Sequence, residues 1–295
     1  YPPAYITPDP PEQAVVSHEL PRQRRGTQQA IRLPRILQTG YESLQILGIG
    51  WARVIGGLLG LYLFIYVWAV PMLMLDLVPV WGEWMGGFLI ILQGSIMALW
   101  LLAEAGARGA IAAALIALLS FLVEYAGVST GFPFGRYEYT GALGWKVGSV
   151  PLPIPFAWLM VVPGALQTAA ALRRPAALIP AAALLALWLD LLIEPVAAYI
   201  TDYWRWIDQG PYYGIPTSNF IAWGGTALVL AIVLRLAAPA LPHTARAGWL
   251  PRLLFALAAI QFTFVDIAYG YGSAGLIGCG LLITIFALWR RAARR

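Results

Sequence analysis

Residues 176–200 read AALIPAAALLALWLDLLIEPVAAYI, a stretch that carries only two charges, Asp190 and Glu194. About 20 apolar residues of helix cross the hydrocarbon core of a bilayer, so this run is long enough to span. The same texture recurs near 52–75, 84–103, 109–127, 155–172, 218–237, 250–269 and 273–290. Composition agrees: 60% of the 295 residues are hydrophobic and 11% charged, and the mean hydropathy is +0.72. A soluble domain has about 25% charged residues and about 45–50% apolar ones, and could not hide this much apolar surface. Strand alternation is absent, which argues against a β-barrel. The expected fold is an all-α polytopic membrane bundle of about eight transmembrane helices, in the cytoplasmic membrane of the cell.

Residues 1–50 have a different character. They carry Pro2, Pro3, Pro8, Pro10 and Pro11 with Arg22, Arg24, Arg25, Arg32 and Arg35, and hold no long apolar run or signal-peptide pattern. They read as an extended Pro/Arg-rich arm, a candidate contact with a membrane-complex partner, ahead of a transmembrane domain over 51–295. The first residue is Tyr rather than Met, consistent with a missing or processed start. The charge of +5 is distributed as a topology signal rather than as a nucleic-acid footprint. Eight spans put 16 of the 19 basic residues on one side and leave only Arg136, Lys146 and Arg205 on the other. By the positive-inside rule both termini are expected to be cytoplasmic.

Ionisable groups inside a bilayer are costly and mark function. Glu124, Asp190, Glu194 and Asp266 lie in apolar segments, and with eight spans all four fall towards the non-cytoplasmic ends of their helices. Asp190 and Glu194 are four apart and project from one helix face. The two long loops on that side carry Arg136, Tyr137, Glu138 and Tyr139, then Asp202 to Trp206, then Tyr212 to Asn219. Arg136 and Arg205 are expected to partner the buried carboxylates. Most of the tryptophans and tyrosines read as an interfacial belt, with Tyr137, Tyr139, Asn219 and Trp223 as candidate substrate contacts.

One cysteine rules out a disulfide framework, and two histidines leave little for a metal site. Nucleotide-binding loops, nucleophile elbows, His-rich boxes and aspartate-rich prenyltransferase pairs are absent from the sequence. Carboxylates, tyrosines, arginines and an apolar interior remain, a set suited to proton transfer on a lipophilic molecule without metal or cofactor.

The run from Glu124 through Ser129, Thr130, Gly131, Phe132, Pro133, Phe134, Gly135, Arg136 and Tyr137 to Thr140 resembles the signature of the CruF-type carotenoid hydratases. That membrane family includes bisanhydrobacterioruberin hydratase and the γ-carotene 1′,2′-hydratases. Asp190 to Ala197, and Tyr212 to Phe220 followed by Trp223, are similar to two further family segments, in the same order. The resemblance covers roughly residues 50–290. It implies water addition across the terminal C=C bond of an acyclic or monocyclic carotenoid, without cofactor. The residues independently suit that chemistry: alkene hydration needs a general acid, tolerance for a tertiary cation, and a positioned water. An acid can be kept protonated by desolvation, and a second carboxylate can take the proton from the attacking water. Asp190 and Glu194 are the expected centre, with Glu124 and Asp266 close enough to tune it and Arg136 fixing one carboxylate.

Two other readings compete. A non-catalytic carotenoid-binding or scaffold subunit of a photosynthetic or respiratory membrane complex would explain the arm, but has no use for buried acids. A proton-coupled transporter would use the acids as a relay, yet predicts internal repeats, and none is visible.

Overall fold

A computed structural model describes residues 49–241 and 247–293. The N-terminal arm, apart from its last two residues, lies outside the described residues. Seven helices in the described residues are long and apolar enough to cross a membrane. They are α1 (Ile49–Met74), α2 (Met85–Thr130), α3 (Pro153–Ala169), α4 (Pro175–Tyr199), α5 (Thr217–Ala237), α6 (Trp249–Ala268) and α7 (Gly272–Ala293). All eight expected segments are helical, two of them joined in α2. At 46 residues that helix would reach about 70 Å if straight, at 1.5 Å per residue. It does not run straight, because Gly106 sits at φ 56°, ψ −136°, a backbone state that only glycine adopts readily. Past this break the chain doubles back. A Cβ on Gly109 would stand 1.8 Å from the Leu101 carbonyl oxygen, a contact that eight residues of straight helix cannot make. The two legs of α2 are thus the spans expected near 84–103 and 109–127.

The bundle has two distinct ends. At one lie Arg173 and Arg174 of a short connection, Arg108 just past the α2 break and Arg252 in the first turn of α6, and Trp100 and Glu104 of α2 hydrogen-bond the Ala247 backbone at 3.2 and 2.6 Å. At the other, the long loops carry Arg136, Lys146 and Arg205, and the Tyr269 hydroxyl reaches the Leu73 carbonyl at 2.9 Å. The split read from the sequence therefore has a structural counterpart among the described residues. The positive-inside rule predicts that reporter fusions after residues 105 and 174 read cytoplasmic and those near 145 and 208 external. A cytoplasmic signal at 145 would overturn that orientation.

Helix α3 lies at the centre: 83% of its apolar window is buried. The peripheral helices turn large apolar side chains outward, among them Phe64, Trp68, Ile221 and Leu276, as a lipid solvent allows. Helices approach closely where residues are small. Gly94 of α2 lies against the Phe156 backbone of α3, and Gly164 of α3 against Phe255 of α6. Among the described residues, four short strands stand in the loops, β1 (Tyr137–Tyr139), β2 (Lys146–Val147), β3 (Val150–Pro151) and β4 (Trp204–Trp206), pairing antiparallel as β1–β4 and β2–β3. The first of these ribbons organises the site.

Candidate active site

The second leg of α2 ends on Gly131, in the left-handed region at φ 79°, whose N–H closes on the Gly127 carbonyl at 2.7 Å. The chain then folds back over its own helix. Gly127 has no side chain where the Phe134 ring crosses, since a Cβ there would lie 2.6 Å from it. This return aims β1 along the helix end. Alternation along the strand buries Tyr137 and Tyr139 and exposes Glu138. Both hydroxyls donate to the same oxygen of Glu124, Oε2, each at 2.8 Å, and the Trp158 indole N–H reaches Oε1 at 3.4 Å. Burial, then Glu124, push both phenols far above their usual range, so each keeps its proton and donates.

Strand β4 repeats the arrangement on a second acid. Tyr137 pairs with Trp206, Glu138 with Arg205, and Tyr139 with Trp204. Both indole N–H groups donate to Glu194 Oε2, Trp204 at 3.1 Å and Trp206 at 2.9 Å, while Asn219 Nδ2 donates to Oε1 at 2.8 Å. One two-stranded ribbon therefore carries two tyrosines onto Glu124 and two tryptophans onto Glu194. Its outward face bears Glu138 and Arg205.

The arginines act elsewhere than expected. Arg136 binds Asp208 through Nε at 2.9 Å and Nη2 at 2.8 Å, and its backbone N–H meets the same carboxylate at 2.8 Å. That pairing holds the Asp208 carboxyl below the usual range. The Arg205 guanidinium pairs with Asp202. Both ion pairs lie in the loops, where water solvates them, and every hydrogen bond described to Glu124 and Glu194 comes from a neutral donor. Burying a guanidinium with the acids would have added its desolvation cost. Arg136 instead anchors the ribbon from outside.

A cavity of about 120 Å³ opens between the ribbon and the helices. Glu124, Glu194 and Asn219 line it together with Gln93, Thr201 and Gln261, and the expected contacts Tyr137, Tyr139 and Trp223 all line it. Trp158 stacks on Trp223 with ring centroids 4.2 Å apart. Of the four intramembrane carboxylates, Glu124 and Glu194 face this cavity. Asp190 is fully buried one helical turn from Glu194, does not line the cavity, and meets the Asn219 amide at 3.4 Å. Asp266 also lies off the cavity, buried on α6. The expected Asp190/Glu194 pair is thus bridged by Asn219, while the acid facing Glu194 across the ribbon is Glu124.

Trp158, Trp204 and Trp206 were not among the expected site residues. The signal for Trp204 and Trp206 was present in the i, i+2 spacing of aromatics in both loops, which puts two rings on one face of a strand, whereas Trp158, on α3, had no such signal. An interfacial belt accounts for aromatics individually and so obscures that spacing.

The model of the family described as "Carotenoid biosynthesis protein" matches residues 85–287. The chain belongs to the carotenoid biosynthesis protein family. The match takes in the ribbon and every acid discussed above, and the family agrees with the resemblance read from the three motifs. The chain is also similar to the bisanhydrobacterioruberin hydratase of Haloarcula japonica, 30% identical over 133 residues, which is 42% of this chain and 44% of that protein. The alignment thus spans less than half the length of this curated relative. No solved structure matches the chain. As a member of the carotenoid biosynthesis family with seven helices among the described residues long and apolar enough to cross a membrane, this is a multi-pass membrane protein with a carotenoid biosynthetic role.

Proposed function

We propose that the protein is a carotenoid hydratase that adds water across the terminal C=C bond of an acyclic carotenoid end group. One observation carries this reading: Glu124 and Glu194, held by neutral donors, face a single aromatic cavity. One carboxyl, in its protonated form, delivers a proton to the less substituted alkene carbon. Positive charge develops on the tertiary carbon, where water attacks, and the other carboxyl takes the proton that this water loses. The π bond and one O–H bond break while one C–H and one C–O bond form. No electrons are exchanged, so the reaction needs no redox partner.

The faces of Trp158, Trp223, Tyr137 and Trp206 surround the end group and stabilise the cation, as aromatic rings do for buried positive charge. The carotenoid enters from the bilayer, where it is soluble. The named relative, a hydratase, supports the same class of reaction.

The test is expression in a bacterium that accumulates lycopene or γ-carotene, followed by mass analysis of the pigments. The expected result is a product heavier by one water per reacted end. Pigment that co-purifies with the protein unchanged would overturn the hydratase reading and favour a carotenoid-binding subunit.

A further inference from the structure

The cavity that Glu124 and Glu194 face holds about 120 Å³, well below the roughly 300–1,000 Å³ of a site that encloses a drug-sized ligand. A carotenoid is a long, stiff conjugated chain that cannot fold back on itself. Only its end group fits inside, and the rest has to leave through a gap in the wall. The place of that gap follows from the wall itself, with the identity of the ligand resting on the hydratase reading.

Two sides are closed. At the loop end the ribbon covers the cavity, and α2 meets the loops with no side chain between them. A Cβ on Gly86 would overlap the Tyr203 hydroxyl, and one on Gly87 the Leu143 carbonyl. A chain leaving there would also carry its apolar surface into water, at about 25 cal/mol per Å². On the side of α4, α5 and the second leg of α2, the lining residues Glu124, Glu194, Asn219 and Trp223 are buried.

The third side differs. Leu73 of α1, Leu89 and Ile90 in the first leg of α2, and Gln261 and Phe262 of α6 line the same cavity and are half-buried. Four of these five are apolar. Leu89 lies four residues into α2 and Phe262 six before the end of α6, a depth of about 6–9 Å at 1.5 Å per residue, within the helices and not in the loops. Helix α1 crosses this side and is fastened at two levels. Towards the loop end, the Tyr269 hydroxyl donates to the Leu73 carbonyl at 2.9 Å. Deeper, Gln93 Nε2 donates to the Tyr62 hydroxyl at 2.6 Å, and the Tyr66 hydroxyl donates to the Leu257 carbonyl at 2.8 Å. The seven residues from Tyr66 to Leu73 amount to about 10 Å of helix. Pro71 lies in that stretch and removes one backbone hydrogen bond from it.

We infer that the conjugated chain of the carotenoid passes through a window bounded by α1, the first leg of α2 and α6. Its end group sits at the acids, its next segment lies against Leu89, Ile90 and Phe262, and the remainder stays in lipid. The chain then reaches the acids without crossing water, and the window side chains meet a hydrocarbon of their own polarity. Selection is made on the inserted end alone, so the far end of the molecule is free to be acyclic or cyclised.

The test uses the full chain, purified in detergent and lipid, with Cys279→Ser as background because that thiol is exposed. Leu89→Cys and Phe262→Cys place thiols in the window. Phe264→Cys is the control, exposed on the same helix and away from the cavity. Labelling by N-ethylmaleimide is timed with and without lycopene. At saturation, occupancy should slow labelling of both window thiols by about tenfold or more and leave Phe264→Cys unchanged. Leu89→Trp and Phe262→Trp, which fill the opening, should each slow conversion several-fold. Labelling that lycopene leaves unchanged at both window positions, slowing of all three thiols alike, or wild-type conversion by both tryptophan variants would overturn the window. The two ideas fail separately. Lycopene that protects both window thiols yet is never hydrated sinks the hydratase reading and leaves the window, whereas hydration without protection sinks the window alone.

Discussion

Glu194→Gln and Glu124→Gln should each lower carotenoid conversion by about 10²–10⁴-fold, the usual contribution of a general acid or base. The amide keeps the size of the side chain and can still accept from Trp204 and Trp206, or from Tyr137 and Tyr139, but it cannot deliver or take a proton at neutral pH. Both proteins should therefore insert and purify at ordinary yield. Residues that act as a unit are strongly non-additive, so the double variant should be scarcely worse than either single one. Glu138→Gln is the control: it lies on the outward face of the same strand and should retain near-normal conversion. The readout is the hydrated fraction of pigment, normalised to membrane-inserted protein. Wild-type conversion by both single variants would remove Glu124 and Glu194 from the mechanism.

The second large effect concerns the fold. Gly109→Ala should sharply reduce the yield of folded protein, because its Cβ would collide with the Leu101 backbone oxygen at 1.8 Å and backbone has little room to yield. Overpacking in a tight interior costs about 1–3 kcal/mol, sometimes more, and a clash at the reversal of α2 belongs at the upper end. Gly57→Ala, in α1, is the contrast. Nothing among the described residues lies within 4 Å of the added atom, and alanine is better than glycine in a helix by up to about 1 kcal/mol. Thermal unfolding of detergent-solubilised protein, followed by size exclusion, should therefore show the first variant lowered and the second unchanged or raised. A Gly109→Ala protein with wild-type thermal stability would show that the two legs of α2 do not pack back on each other.

The sequence by itself determined the membrane class and the spanning segments, because a helix in lipid must be apolar along a length set by the bilayer, and both properties are local. It also determined that Asp190 and Glu194 share a helix face, since a spacing of four is enough for that. The three motifs identified the family, and its model spans all four intramembrane acids. Other features depended on packing between distant segments. Arg136 and Arg205 carry the right charge for the buried acids, but the return of the chain after Gly131 points Arg136 at Asp208, and Arg205 closes on Asp202 within its own loop, both where water lowers the cost of the charge. Trp204 and Trp206 meet Glu194 because β4 pairs with β1: the i, i+2 spacing in each loop gives the face of each strand, but the pairing of two loops 65 residues apart is written in neither one. Tertiary structure likewise separated four acids that reach similar depths. Glu124 and Glu194 face the cavity, Asp190 stands behind Asn219, and Asp266 lies off the cavity, because depth along a helix is written in its sequence while the neighbour it faces is set by how the helices rotate against one another.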